Sequence, residues 1–468
     1  MTGDVPATFL AIPAMARWLV RQEAGSIPPR IRRIALHSLI DTLGVITAGG
    51  RTRVAAHARL LVQADGTAAP CGLAGSDQRA QSRHAALVNA VAAHALDFDD
   101  NCYAGFVHGS AVIVPAALAV AQQIDADGQA LLTALVVGAE CQYTLGLATD
   151  NRLYRRGWWS SGILGPIGAC AAAAWLLRLD EQQAAQALGL AAASAAGIKA
   201  GFGTDAKALL AGRAAEAGVM AAWLAQAGAT GPVDAFEHRH GVAHLFNDAH
   251  FDGSVFSALG RRWTLEDPGL DVKRIPVCLS SHAAVDVVVE LIAAHGVRSE
   301  EILAIHCDVP PIVIANLIHD RPHTPQQAQF SMPFAIAAAV LHGGPRLQDL
   351  EAARLAQADM IALMAKVSMS SSAQWQDPAR QQQAPEGAEV CLSLRDGRQL
   401  RGRRDAPRGA AREPLTPDQQ REKFLECLRY GGIDESVAGQ RLAQLEGLEG
   451  PQGQQGLSSV RALFPFAA

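Results

Sequence analysis

The sequence predicts a mostly α protein: a large helical domain drawn from 1–264 and 409–468, and a smaller α+β domain over 265–408. Three observations carry this reading. At 468 residues the chain is longer than one compact core usually accommodates. Hydrophobic residues make up 49% and aromatics only 5%, so Ala, Leu and Val build the core, a mixture that favours close-packed helices over β-sandwiches. The texture also changes near Trp263, from helical periodicity to short β-branched runs.

In the first part, apolar residues recur at three- and four-residue steps between Gly-rich breaks. They predict helices over 30–47, 79–96, 111–123, 129–148, 163–179, 182–196 and 207–226. No repeat of fixed length is present, which argues against a solenoid. Beyond Trp263, residues 301–310 alternate as a strand, and 389–395 and 398–402 read as a hairpin turned by Asp396-Gly397. Helical runs over 281–295 and 331–341 sit among these strands. Residues 372–387, rich in Gln, Ser and Pro, read as a mobile loop. Helical pattern resumes from Thr416 through Lys423-Phe424, in a segment expected to return to the first domain.

A net charge of −5 argues against nucleic acid as a partner, so any anionic ligand needs a local basic pocket. Cys71, Cys102, Cys141, Cys170, Cys278, Cys307, Cys391 and Cys427 are scattered without a CxxC pair, as suits reduced thiols. The N-terminus lacks the layout of a signal peptide, and Gly, Arg, Asp or Gln are expected to break the apolar helices before they reach membrane-spanning length. The expectation is a cytoplasmic protein with no membrane partner.

The chemistry concentrates in His94-Ala95-Leu96-Asp97-Phe98-Asp99-Asp100-Asn101 and in His108-Gly109-Ser110. Isolated charges are expensive to bury, so such a cluster between apolar helices must be paired or put to work. If 92–101 is helical, His94, Asp97 and Asn101 share nearly one face, and the chain then presents His108 before Ser110, a candidate N-cap. A histidine close to a carboxylate can hold or move a proton near neutral pH. The same residues also fit helix-capping aspartates with a core histidine, or a divalent-metal site ligated by His94 and the aspartates. No second His/carboxylate motif completes a coordination sphere, so no metal is expected.

Thr204 reads as an N-cap that puts Lys207 in the first turn of a long helix, an end already partially positive, where an anion would relieve the conflict. An exposed lysine is the plainer reading, and Lys199 sits just upstream. In Lys273-Arg274-Ile275-Pro276-Val277-Cys278, two cations precede a cysteine that shares a four-residue spacing with His282. Arg152, Arg155 and Arg156 precede Gly157-Trp158-Trp159-Ser160-Ser161, either as a carboxylate clamp with an aromatic wall or as a solvated helix end.

Taken in order, several stretches resemble the MmgE/PrpD family of 2-methylcitrate dehydratases, cis-aconitate decarboxylases and iminodisuccinate epimerases. They are Leu39-Ile40-Asp41-Thr42-Leu43-Gly44-Val45, residues 89–100, Leu164-Gly165-Pro166-Ile167-Gly168-Ala169, Gly203-Thr204 through Lys207, Ala211-Gly212-Arg213-Ala214-Ala215, and Gln329-Phe330-Ser331-Met332-Pro333-Phe334. The resemblance runs nearly end to end, and the decarboxylase and epimerase branch is nearer than the enterobacterial methylcitrate dehydratases. It implies a helical domain from both chain ends, an α+β lid and a homodimer. It also implies catalysis on a small polycarboxylate with neither metal nor organic cofactor. Asp97, His108, Lys207 and Lys273 fall on the family's active-site positions. Departures are Trp159 where the family's Gly-x-His-x-Thr segment has histidine, Asn101 in place of threonine, Phe334 in place of the decarboxylases' tyrosine, and Cys278 in place of their histidine.

The resulting expectation is a lyase acting next to a carboxylate, by dehydration or decarboxylation. Its catalytic residues are Asp97, His108 and Lys207, with His108 oriented by Asp97; Asn101, Trp159, Lys273 and Cys278 contact substrate. An epimerase on the same site is the alternative, and a carboxylate-binding homologue without turnover is the reading from another class.

Overall fold

Capping residues and small side chains set the helical part of the computed structural model, which describes residues 9–63, 69–449 and 460–464. Its helices are α1 (Ala11–Leu19), α2 (Pro29–Gly49), α3 (Arg53–Gln63), α4 (Ser82–Ala95), α5 (Ser110–Ile124), α6 (Gly128–Ala148), α7 (Arg152–Arg155), α8 (Ser160–Leu176), α9 (Glu181–Ala193) and α10 (Asp205–Gln226). Every helix expected between residues 30 and 226 is among them. The side chains of Asp127, Asp180 and Thr204 open α6, α9 and α10 by accepting from the backbone N–H of Ala130, Gln183 and Ala206.

The packing partners α4, α8 and α10 come together at distances that only glycine permits. A Cβ on Gly218 would lie 2.5 Å from the Ala169 methyl, and one on Gly212 would lie 2.7 Å from the Leu87 carbonyl oxygen. One expectation fails here: α6 and α10 are long and apolar enough to cross a membrane by length and composition. The most apolar window of α6 is nevertheless 89% buried inside the protein, as in a core helix.

The mixed part carries α11 (His282–His295), β1 (Ile302–Asp308), α12 (Pro311–Asn316), α13 (Met332–His342), β2 (Val367–Ser370), α14 (Pro378–Gln383), β3 (Ala388–Leu394) and β4 (Gln399–Arg404). The sheet order is β2-β1-β3-β4. Strand β1 pairs parallel with β2 (Ile305 opposite Val367) and antiparallel with β3 (Ile305 opposite Leu392). The hairpin β3–β4 turns at Asp396-Gly397, where Gly397 adopts φ 87° and Asp396 accepts from the Arg398 N–H at 3.0 Å. Alternate residues of β3 (Val390, Leu392, Leu394) are buried on the face that α11 covers.

Residues 372–387 are not the loop that their composition predicts. A 3-10 turn over Ala373–Gln376 leads into α14, with Trp375 fully buried and the Arg380 guanidinium over its ring at 4.8 Å. One buried aromatic, with the buried Ala384, anchors a segment rich in Gln. The tail helix α15 (Pro417–Tyr430) packs on α2, and its Lys423 reaches Asp41 at 2.7 Å and the Phe98 carbonyl at 2.9 Å. The end of the chain thereby braces the loop that follows α4.

Candidate active site

Helix α4 stops at Ala95, not at Asn101, because Asp97 takes a left-handed φ of 47°. That break corrects the one-face expectation and lets Asp97, Asp99 and Asp100 point in different directions. Nor does Ser110 cap the next helix. Gly109 is the cap residue, and the Ser110 hydroxyl instead donates to Asp100 Oδ2 at 2.5 Å.

Asp97 collects two lysines from distant elements. Lys207 Nζ, in the first turn of α10, lies 2.5 Å from Asp97 Oδ1. Lys273 Nζ lies 3.0 Å from Oδ2 and donates to the Asp97 carbonyl at 2.9 Å. Burial pushes the Asp97 carboxyl up, but Lys207 and Lys273 outweigh it and hold the group well below the usual carboxylate range. For Lys273 burial works against the charge, and Asp97 outweighs it to raise the ammonium above its ordinary value. Two cations share one anion, a local excess of positive charge.

Asp97 does not orient His108, as the sequence reading expected; Asp99 does. Asp99 Oδ2 lies 3.1 Å from His108 Nδ1 and 2.9 Å from His94 Nδ1. Burial opposes ionisation of Asp99, and the two imidazoles override it to hold the carboxyl well below its ordinary value. Burial lowers His94 to about 4, so it stays neutral and donates. His108 Nδ1 also lies 3.0 Å from the Asp100 carbonyl, which fixes the proton on Nδ1 and leaves Nε2 as a base. Its backbone N–H is held by Ser161 Oγ at 2.9 Å. The donor atoms of His94, Asp99 and His108 lie within 4.8 Å of one another, whereas the metal reading of the sequence had His94 with the aspartates. His94 hydrogen-bonds Asp99 Oδ2 and His108 makes an ion-pair contact with the same oxygen.

Asp97, Asn101, His108 and Lys207 line a cavity of about 30 Å³. Cys278, Asn316 and Glu386 complete its polar wall, and Phe106, Tyr154, Phe202 and Phe330 its aromatic one. Asn101 Nδ2 is buried without a partner among the described residues, a donor left over for a ligand. Burial, then the Asp97 and Glu386 charges, push the Cys278 thiol up to about 11, so it is protonated. A wider groove of about 1170 Å³, near Ile318, Leu355 and Ile361, holds none of these groups.

Two expected substrate contacts do not line the cavity. Trp159 is buried behind His94, its ring 5.3 Å from the imidazole, so it supports the histidine and walls nothing. Lys273 is fully buried and reaches the cavity only through Asp97. Phe334 is likewise buried in α13. His282 turns from Cys278 to the Val277 carbonyl at 3.1 Å, and Arg274 pairs with Asp286 at 2.7 Å. The arginines after α6 stay at the surface, Arg156 with Asp248 and Arg152 with Asp150. Lys199 donates to Asn316 Oδ1 at 3.0 Å, beside the cavity.

Sequence reading missed Tyr154, Asn316 and Glu386. Tyr154 donates to Asn316 Oδ1 at 2.9 Å, and Asn316 Nδ2 donates to Ser280 Oγ at 3.0 Å. Glu386 ends the polar stretch that read as a loop, and no local pattern marks any of the three.

The comparisons with known proteins agree with this architecture. The chain is 26% identical to human cis-aconitate decarboxylase over 424 residues, covering 86% of this chain and 84% of that one. It is 24% identical over 434 residues to a cis-aconitate decarboxylase-like protein of Aspergillus oryzae, covering 88% of this chain and 89% of the other. The mouse cis-aconitate decarboxylase matches at 25% over 363 residues, 74% of this chain and 72% of its own. Residues 13–254 match the model of the MmgE/PrpD N-terminal domain and residues 275–445 that of the C-terminal domain, and the chain therefore belongs to the MmgE/PrpD family.

Proposed function

We propose that this protein is a lyase acting on a small di- or tricarboxylic acid, by loss of water or CO2 at a carbon next to a carboxylate. The observation that carries the reading is the Asp97–Lys207 pair beside His108 in one buried polar cavity, with Lys273 backing Asp97 from behind. Lys207 uses one N–H on Asp97 and keeps others for a substrate carboxylate. Its charge, backed by Lys273, stabilises the negative charge that an enediolate-like transition state gathers on that carboxylate. Asn101 donates to a second oxygen. In dehydration His108 Nε2 removes the proton from carbon and passes it to the hydroxyl, which leaves as water. In decarboxylation the carboxylate leaves as CO2, and the electron pair left on carbon takes a proton from His108 Nε2, which enters this branch as the imidazolium and regains its proton from water afterwards.

The cavity holds about one water molecule as it stands, so a polycarboxylate enters after Cys278, Asn316, Phe330 and Glu386 move away from Asp97, His108 and Lys207. The related decarboxylases, named for cis-aconitate, support the carbon-acid chemistry. A second reading, epimerisation, is favoured by Cys278: a protonated thiol in the same cavity as His108 supplies the second proton donor that inversion needs.

Proton NMR in D2O with citrate-, aconitate-, methylcitrate-, tartrate- and aspartate-derived acids tests both. The lyase reading expects product from one acid, lost in Lys207→Ala and His108→Ala. Deuterium uptake with stereochemical inversion and no elimination moves the assignment to epimerase. Binding without exchange or product makes the protein a carboxylate-binding homologue without turnover.

A further inference from the structure

Beside the cavity, two donors from the helical part converge on one oxygen supplied by the mixed part. Lys199 is half-buried and Tyr154 buried. Lys199 Nζ donates to Asn316 Oδ1 at 3.0 Å, and Tyr154 Oη donates to the same oxygen at 2.9 Å. The ammonium also sits 3.9 Å from the centroid of the Tyr154 ring. Among the described residues no carboxylate lies at ion-pair distance from Lys199. Burial lowers the ammonium from its ordinary value, with Cys278 and Glu386 opposing from farther off. At close range a cation therefore rests on a neutral amide oxygen and an aromatic face.

Asn316 and Tyr154 both line the cavity, and Asn316 is among the residues that move away when a polycarboxylate enters. Its departure leaves the Lys199 ammonium and the Tyr154 hydroxyl without their acceptor, which is unfavourable away from bulk water. The amide oxygen marks where a replacement acceptor sits, and a carboxylate oxygen satisfies a cation better than a neutral amide does. The Phe202 ring centroid lies 5.7 Å from Lys199 Nζ and 5.5 Å from Lys207 Nζ, so both ammoniums border one aromatic wall. We propose that Lys199 and Tyr154 form a second carboxylate subsite, where the far carboxylate of the ligand replaces the Asn316 side chain. Lys207 meanwhile holds the carboxylate next to the reacting carbon. Lys199 is then the residue that distinguishes a diacid from a monoacid. This inference rests on the carboxylate-binding reading above and adds the residues that read the second carboxylate.

Isothermal calorimetry at pH 7 with succinate and butyrate, and with glutarate and valerate, tests the inference. In each pair a methyl group replaces one carboxylate. Wild type is expected to bind the diacid at least about tenfold more tightly than the monoacid, the size of one charge-assisted hydrogen bond. Lys199→Met should shrink that ratio to within about threefold and leave monoacid binding unchanged, whereas Lys199→Arg, which keeps a cation, should retain it. Tyr154→Phe, which keeps the ring, should lower the ratio by about fivefold. A wild-type ratio near one overturns the inference, and so does a ratio that survives Lys199→Met. A loss in Lys199→Met that falls equally on diacid and monoacid makes the lysine structural and overturns it too. Should the Met variant not fold, the wild-type ratio and Tyr154→Phe decide together. Diacid binding that Lys207→Ala abolishes, with a ratio indifferent to Lys199→Met, overturns the subsite and leaves the carboxylate reading standing. No binding of any of the four acids to wild type overturns both.

Discussion

The two faces of the loop between α4 and α5 carry buried aspartates three residues apart, each 1% exposed, with opposite protonation behaviour. On the cavity face, Asp97 meets two lysines and stays ionised. On the back face, Asp100 meets the hydroxyls of Ser110 at 2.5 Å and Ser38 at 3.1 Å. Burial drives Asp100 up to about 7, with Ser110 resisting and Asp41 and Asp99 adding to the rise. Burial is equal on the two faces, so the cations decide. The cavity face is organised for charge and the back face for rigidity, which is the division a site needs if an anionic group is to bind next to a fixed histidine.

The comparison can be broken at several points. The largest expected effect is on turnover. His108→Ala should lower it by about 10²–10⁴-fold, while the melting temperature stays close to wild type, because His108 is the partly exposed member of its pair. Equal losses of folding and activity would erase the distinction between the faces.

Next comes Lys273→Met. It leaves Asp97 buried with one lysine and should destabilise the fold by about 3–5 kcal/mol in urea titration. A loss below about 1 kcal/mol would mean that Lys207 alone compensates Asp97.

Asp100→Asn sharpens the contrast through pH. The folded Asp100 pKa of about 7 lies above its unfolded value, so the folded state binds the extra proton and the wild-type group lowers stability as pH rises from about 4 to 7. The variant should gain on wild type by up to about 1.4 kcal/mol per pH unit across that window. Asp97 has the opposite sign: its depressed pKa gives stability present above about pH 4 and lost on acidification. A flat difference between Asp100→Asn and wild type would show that Asp100 is ionised like Asp97.

Smallest is Trp159→Phe. It should cost about 1–3 kcal/mol of stability with KM unchanged, since the indole supports His94 and does not line the cavity. A raised KM would return Trp159 to the substrate wall that the sequence suggested.

The cluster from His94 to His108 stood out in the sequence because charge in an apolar context is conspicuous wherever it folds. Lys207 stood out for a similar local reason, a cation in the first turn of a helix. Roles were less legible than positions. That Asp99 and not Asp97 holds His108 depends on a left-handed residue that ends α4 early, and nothing in an Asp-Phe-Asp-Asp run says which carboxylate turns which way. Glu386 was hidden for the converse reason: it lies in a Gln- and Pro-rich stretch tied down by the buried Trp375 and Ala384 and by the Arg380–Asp405 ion pair.

By itself, then, the sequence determined the helical class, the hairpin at Asp396-Gly397 and the candidate residues on the α4–α5 loop. Those features follow from periodicity, turn chemistry and local charge, which act over a few residues. Tertiary structure alone decided the partnerships: Asp97 with Lys207 and Lys273, separated by 110 and 176 positions, and Tyr103 with Glu386, separated by 283. Electrostatic and hydrogen-bond energies depend on distance in space and on burial, and neither is written in the order of the chain.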